Sequence, residues 1–382
     1  MKIKVGFIYG GVSTEHEISI ISAIQAINNI DKEKYDVVPI YISKEGNFYT
    51  GNILKNIESY KDLNSLIKKL TEVVIIKKDN TFCLIKTKLP YNAISTIDIF
   101  FPVVHGYGTE DGSIAGYLET IWAPFTESDV YASVVGQDKV IQKALLKENG
   151  INVTDYIYFY ESDYLKDEEK VLLSIDALSY PVIVKPARLG SSVGITKVKN
   201  KKDISSAIEN ALNYDEKIIV EKVVDNLKEY NCSTIGDNFN YEASLIEEVK
   251  ANDGILSFND KYLTNSKVKG MASAKRIINP KISKNLKEEI INISIKASKV
   301  LNTNGVVRID YLYDEKNKKL YLNELNIIPG SLSFYLWDIP YKDMLTQIIE
   351  LGIKKYQNKS KKITNFESNV LKNFNEVKGV KK

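Results

Sequence analysis

Asp310, Glu324 and Asn326 are three hard oxygen ligands set in apolar surroundings, VVRID (306–310) and YLNELN (321–326). Glu324 and Asn326 lie two residues apart, so on a strand they project from one face. Mg²⁺ takes a few such oxygens and completes its shell with water and substrate phosphates. The alternative is the polar face of an exposed strand. The apolar neighbours weigh against that, because burying these groups without a partner is costly. A second stretch is PVIVKPARLGSSVGITKV (181–198). Two short apolar runs flank a Gly/Ser turn, and Lys185 precedes it. A P-loop places its lysine after the glycines and opens a helix. Here the lysine comes first and the loop joins two strands. The expectation is a hairpin loop whose N–H groups from Ser191 through Ser192 to Gly194 cradle phosphate, with Lys185 meeting the same charge. Taken alone, the stretch is equally readable as a plain turn. In IIVEKVV (218–224), Glu221 and Lys222 end a strand. The backbone there can meet an adenine edge, Val224 can pack on the ring, and Glu229 can reach ribose hydroxyls.

These residues need strands and turns to carry them. Residues 3–9, 35–42 and 97–104 read as buried strands, and 18–30, 113–122 and 131–149 as helices, with Gly-rich turns at strand ends. This alternation predicts a doubly wound α/β domain over residues 1–127. A smaller α+β unit is expected over 128–215. A third, mostly stranded unit follows over 216–356, with a Gly-, Asn- and Ser-rich lid at 254–278. Residues 357–382 form a Lys- and Asn-rich basic tail.

Composition narrows the function classes. The chain has 382 residues, 44% of them hydrophobic, and a formal charge of +3. So small a charge argues against a nucleic-acid binder, which carries a concentrated basic face. The two cysteines, Cys83 and Cys232, have no metal spacing, and two histidines, His16 and His105, exclude a His-rich metal site. No apolar run approaches the roughly 18 residues of a membrane span. A cytoplasmic protein without membrane association is expected.

Taken in order, GGVSTEHEIS, HGYGTEDGSIAGYLE, QDK, VKPARLGSSVG, VEK, DKY, RID and NELNIIPG make the chain resemble the D-alanine–D-alanine ligase family of the ATP-grasp superfamily, over about residues 3–355. DKYL, KGMAS and PGSLSFYLW make it most similar to the G-type vancomycin-resistance branch, which makes D-Ala–D-Ser. The resemblance implies an ATP-grasp fold and an ADP-forming ligase serving peptidoglycan synthesis. D-Ala would be activated as an acyl phosphate and joined to D-Ser or D-Ala, with ATP and Mg²⁺ (two ions, with Mn²⁺ as a substitute) and a homodimeric enzyme.

Residue by residue, Lys139 and Lys185 match the phosphate-binding lysines, and Glu221, Lys222, Val224 and Glu229 the adenosine contacts. Asp310, Glu324 and Asn326 match the Mg²⁺ ligands. Ser191 matches a serine linked to a tyrosine, here Tyr262, and to a glutamate, here Glu15, which would hold the first D-Ala ammonium. Lys261 and Tyr262 match the lid pair. Arg308 and the Gly330 N–H match the oxyanion donors. His105 and Glu110 belong to a loop beside the first substrate, though a purely structural histidine is the alternative for His105. Tyr335 and Leu336 fall where the acceptor is held, and Tyr335 and Ile327 depart from the family's Ser and Thr. The lid has no histidine, which argues against D-lactate as acceptor. Two other readings stay open: an ATP-grasp ligase with a different carboxylate and amine, and a nucleotide-binding protein without turnover.

Overall fold

In the computed structural model, which describes residues 2–250, 275–364, 368 and 372, the first apolar run is β1 (Ile3–Gly10). Phe7, Ile8 and Tyr9 are all fully buried, so both faces of the strand are covered, as a near-continuous apolar run specifies. The chain passes through α1 (His16–Asn29) to β2 (Tyr35–Ile42), which pairs with β1 in parallel. Next come β3 (Phe48–Thr50), α2 (Leu63–Ile67), β4 (Thr71–Lys78), β5 (Thr81–Lys86), β6 (Ala93–Ile97) and β7 (Ile99–Pro102).

The sheet order is β6-β5-β4-β3-β2-β1-β7. Only β2, β1 and β7 run parallel, and the other four strands add as an antiparallel meander. The expected doubly wound pattern therefore holds for the three-strand core. Parallel pairing needs a long crossover, and residues 51–70 offer only 3-10 turns and the short α2. The strand expected over 97–104 is split at Asp98, whose carboxylate instead accepts from the Lys4 N–H at 2.7 Å.

After α3 (Ser113–Thr120), the helix expected at 131–149 is two helices, α4 (Val130–Gln137) and α5 (Lys139–Glu148). Asp138 leaves helical geometry and caps α5, its Oδ1 accepting from the N–H groups of Val140 (2.9 Å) and Ile141 (3.1 Å). Its Oδ2 accepts from Lys217 Nζ at 2.8 Å. An aspartate that can cap a new helix and pair a buried lysine outweighs one more turn of continuous helix.

The second sheet uses β8 (Tyr156–Tyr160), β9 (Val182–Pro186), β10 (Thr196–Val198) and β11 (Lys217–Lys222), in the antiparallel order β10-β9-β11-β8. The helices α6 (Glu161–Lys166), α7 (Glu168–Asp176) and α8 (Ile204–Leu212) accompany it. The strand at 217–222, expected to begin the third unit, sits in this sheet between β9 and β8, so sheet pairing carries the second unit past residue 215. The third sheet is β14-β13-β12-β15-β16, formed by β12 (Leu227–Asp237), β13 (Asn240–Lys250), β14 (Lys275–Ile278), β15 (Gly305–Asp314) and β16 (Lys319–Asn326). The helix α9 (Lys284–Leu301) lies between β14 and β15, and α10 (Tyr341–Ser360) follows β16.

One continuous apolar core joins the first and third sheets, from Val5 and Phe101 to Val307 and Ile348. The second sheet has its own core around Val184, Ile208 and Val220. Most of the expected lid and much of the expected tail lie outside the described residues, although 357–360 continue α10. Asp138→Ala removes a cap and leaves Lys217 buried without its carboxylate. It is expected to lower unfolding free energy by about 3 kcal/mol, read as a lower urea midpoint at unchanged m-value. Asp138→Asn, which keeps an oxygen for the cap, is expected to lose less.

Candidate active site

One cavity of about 430 Å³ opens where the three sheets meet. The loop after β9 forms one wall, and the hairpin expectation holds: β9 and β10 pair antiparallel on either side of it. Ser191 and Ser192 take left-handed φ values of 54° and 61°, a turn conformation that gathers backbone N–H groups. Glycine is required at Gly194, whose φ is 72° and where a Cβ would lie 2.8 Å from Pro186 Cγ; a Cβ on Gly190 would meet the Glu15 carboxylate. The QDK stretch holds this loop. Gln137 Nε2 donates to the Arg188 carbonyl (2.6 Å), the Lys139 N–H to that of Ala187 (3.0 Å), and Lys139 Nζ to that of Leu189 (2.6 Å).

Lys139 and Lys185 both line the cavity, and each is matched to a carboxylate: Lys139 Nζ is 3.5 Å from Glu324 Oε2, and Lys185 Nζ 3.0 Å from Glu221 Oε1. Glu221 has a second cation, Lys143, at 3.3 Å from the same oxygen, and Thr154 Oγ1 donates to its Oε2 at 3.1 Å. Burial would raise the Glu221 carboxyl, but Lys143 and Lys185 outweigh it and hold it below its ordinary value. The Glu221 side chain is thus committed to lysines, and its strand end offers a ligand backbone rather than carboxylate. Lys222, Val224 and Glu229 line the same end of the cavity.

β15 and β16 bring the oxygen ligands together. Their register sets Asp310 opposite Glu324 and Arg308 opposite Asn326, and all four line the cavity. Arg308 grips Asp310 with two bonds, Nε to Oδ1 (2.6 Å) and Nη2 to Oδ2 (2.7 Å), and Asn326 Nδ2 donates to the same Oδ2 at 3.2 Å. The expected oxyanion donor and one expected metal ligand are therefore partners of each other.

The other wall comes from the first sheet. Glu15 accepts a short hydrogen bond from Ser191 Oγ, joining the turn after β1 to the loop after β9. Glu110 accepts from the N–H groups of Gly106 (2.9 Å) and Ile328 (3.0 Å). Burial, with Glu15 nearby, pushes its carboxyl up to about 8. Burial likewise pushes the His105 imidazole down to about 4, so it is neutral at pH 7. Its Nε2 lies 3.0 Å from Ser22 Oγ, which accepts from the Ser331 N–H at 2.9 Å. His105 is thus held through Ser22 and also lines the cavity. Gly330 lines it too, at the head of a 3-10 turn (Gly330–Leu336) in which Ser331, Leu332 and Ser333 all take φ near 50°.

Two expected residues stand apart. Leu336 is fully buried, and Tyr335 is packed under the Arg276 guanidinium, 5.1 Å from the ring centre; neither is among the cavity-lining residues described. Lys261 and Tyr262 lie outside the described residues. Sequence reasoning missed Lys143, Ser22 and Glu247, whose Oε2 is 3.5 Å from Nη1 of Arg276, a basic residue of the expected lid segment. Only Lys143 had a local signal, one helical turn after Lys139 on the same helix face.

The Glu110 carboxyl binds its proton more tightly folded than unfolded. That favours the fold at low pH, and the advantage is lost as pH rises through the folded value. Stability is expected to decline from about pH 4.5 to about pH 8 through this group. Glu110→Gln should flatten that decline in denaturant midpoints measured across the window, and an unchanged slope would contradict the assignment.

The family model described as D-ala D-ala ligase C-terminus matches residues 145–350, and that described as D-ala D-ala ligase N-terminus matches residues 4–128. A D-alanine–D-alanine ligase from Thermosipho melanesiensis is 38% identical over 375 residues, covering 97% of this chain and 98% of its own. The structure of the D-alanine–D-alanine ligase from Coxiella burnetii aligns with a TM-score of 0.78 at 27% identity, covering 94% of this chain and 96% of the other. That of a D-Ala:D-Ser ligase from Enterococcus faecalis aligns at 0.76 and 27%, covering 92% and 100%. With both halves matched and a relative this similar along nearly its whole length, the chain belongs to the D-alanine–D-alanine ligase family.

Proposed function

We propose that this cavity joins D-alanine to a second D-alanine in the cytoplasm, with Glu15 and Ser191 holding the first substrate and Lys139 and Lys185 the phosphates of ATP. Membership of the family makes the chain an ATP-dependent ligase whose dipeptide serves peptidoglycan. Among the described residues, no helix is long and apolar enough to cross a membrane. The observation that carries the assignment of roles is convergence: the turn before α1, the loop after β7, the helix α5 and strands of the second and third sheets, far apart in the chain, line one polar cavity.

The chemistry follows from the groups present. A carboxylate is a poor electrophile, so an oxygen of the first D-alanine bonds the γ-phosphorus and the β–γ P–O bond breaks, releasing ADP. Such a transfer is mostly positioning and charge neutralisation. Lys139 and Lys185 supply cations, and the 190–194 loop supplies N–H groups. Glu15 suits the ammonium group of the same D-alanine. The second amino acid's amine then bonds the carbonyl carbon, phosphate leaves, and the amine gives up a proton. Arg308 spends Nε and Nη2 on Asp310, so Nη1 is its donor for the oxyanion, with the Gly330 N–H beside it.

Asp310, Glu324 and Asn326 fit a hard divalent cation: two carboxylates and an amide oxygen on paired strands facing the cavity. Mg²⁺ bound there supplies charge stabilisation to the transferring phosphoryl group.

The 329–337 stretch suggests D-serine as acceptor, in the manner of the resistance branch. D-alanine is favoured because the relative at 38% identity carries the D-alanine–D-alanine name, whereas the D-Ala:D-Ser structure is 27% identical. The test is a product assay. The enzyme with Mg·ATP, D-alanine and an equal amount of D-serine is expected to give mainly D-Ala–D-Ala by mass. Mainly D-Ala–D-Ser would replace the acceptor, and no dipeptide would overturn the substrate assignment. Arg308→Met should cost about 10²–10³ in kcat.

A further inference from the structure

Lys143 is a buried charge that the reaction does not use. Its side chain has no solvent exposure, yet its ammonium lies 3.3 Å from Glu221 Oε1 and donates to Thr154 Oγ1 at 3.2 Å. Lys185 reaches the same Glu221 oxygen at 3.0 Å from the other side, and of the two lysines only Lys185 is among the cavity-lining residues. A lysine buried merely to fill space is a poor choice, because an apolar side chain of similar volume does so without desolvating a charge. Two cations sharing one buried carboxylate leave one positive charge in excess. That excess is on the cavity side.

We propose that Lys143 is a positioning residue: it neutralises Glu221 from behind, so that Lys185 keeps its charge and its reach for an anionic phosphate chain in the cavity. This rests on the reading of the cavity as the ATP site. Without Lys143, Glu221 becomes the full counter-ion of Lys185. The lysine is drawn onto its carboxylate, and the wall presents no net charge to the nucleotide. The three side chains come from α5, β9 and β11. The pairing therefore also ties the helix that begins at Lys139 to the strand that ends at the adenosine side.

The experiment compares the parent with Lys143→Met and with Lys143→Met/Glu221→Gln, reading ADP affinity by calorimetry and the separate KM values for ATP and D-alanine. Lys143→Met is expected to weaken ADP binding and raise the ATP KM about tenfold, while the D-alanine KM stays within about twofold. The second change removes the carboxylate that captured Lys185, and is expected to recover most of the lost nucleotide affinity. Loss of stability alone would not be repaired selectively for nucleotide. A parental ATP KM in Lys143→Met, equal rises in both KM values, or a double variant no better than the single one would each overturn the proposal. Should Lys143→Met fail to fold, the double variant carries the test alone: near-parental ADP affinity supports the proposal, and a tenfold loss overturns it. Calorimetry with ADP needs no turnover, so a failed substrate assignment in the product assay remains distinguishable from a failure here.

Discussion

A site that handles polyanions must carry buried positive charge before any anion arrives, and buried cations persist only when paired. This constraint organises the cavity. Lys139 stands against Glu324, Lys185 and Lys143 against Glu221, Arg308 against Asp310, and Arg276 against Glu247. Each carboxylate keeps a cation in place, and the same carboxylates and their neighbours set where ligands can bind. Asp310 holds both Nε and Nη2 of Arg308, and so fixes the guanidinium beside the cavity.

The pairing depends on the fold. Arg308 meets Asp310 along one strand, whereas Lys185 meets Glu221 only because β9 lies beside β11. Lys139 meets Glu324 only because Asp138 ends α4 and starts a new helix aimed at the loop after β9. The two apolar cores have different tasks. One unites the first and third sheets, so that Glu110 is fixed against Ile328 across 218 residues of chain. The other supports the second sheet. The bond from Ser191 to Glu15 joins the units that these cores serve.

Much of this was legible in the residues themselves. Strand and helix periods located β1, β2, α1 and the hairpin around 190–194, since these patterns depend on neighbours two to four positions apart. The oxygen ligands stood out because polar residues interrupted apolar strands. The ordered run of motifs pointed to the family. The meander of β3 to β6, the break at Asp138 and the transfer of 217–222 to the second sheet were not legible. The last two turn on a partner distant in sequence: Lys217 for Asp138, and β8 with β9 for residues 217–222.

The sequence by itself determined which residue types were available for phosphate, metal and carboxylate chemistry, and the local elements that carry them. The tertiary structure decided their partners. It committed Glu221 to two lysines, raised the Glu110 carboxyl, and set Tyr335 beneath Arg276. The physical reason is that charge and hydrogen-bond energies depend on separation and burial in space. Spacing along the chain specifies these only within a helix turn or a strand repeat.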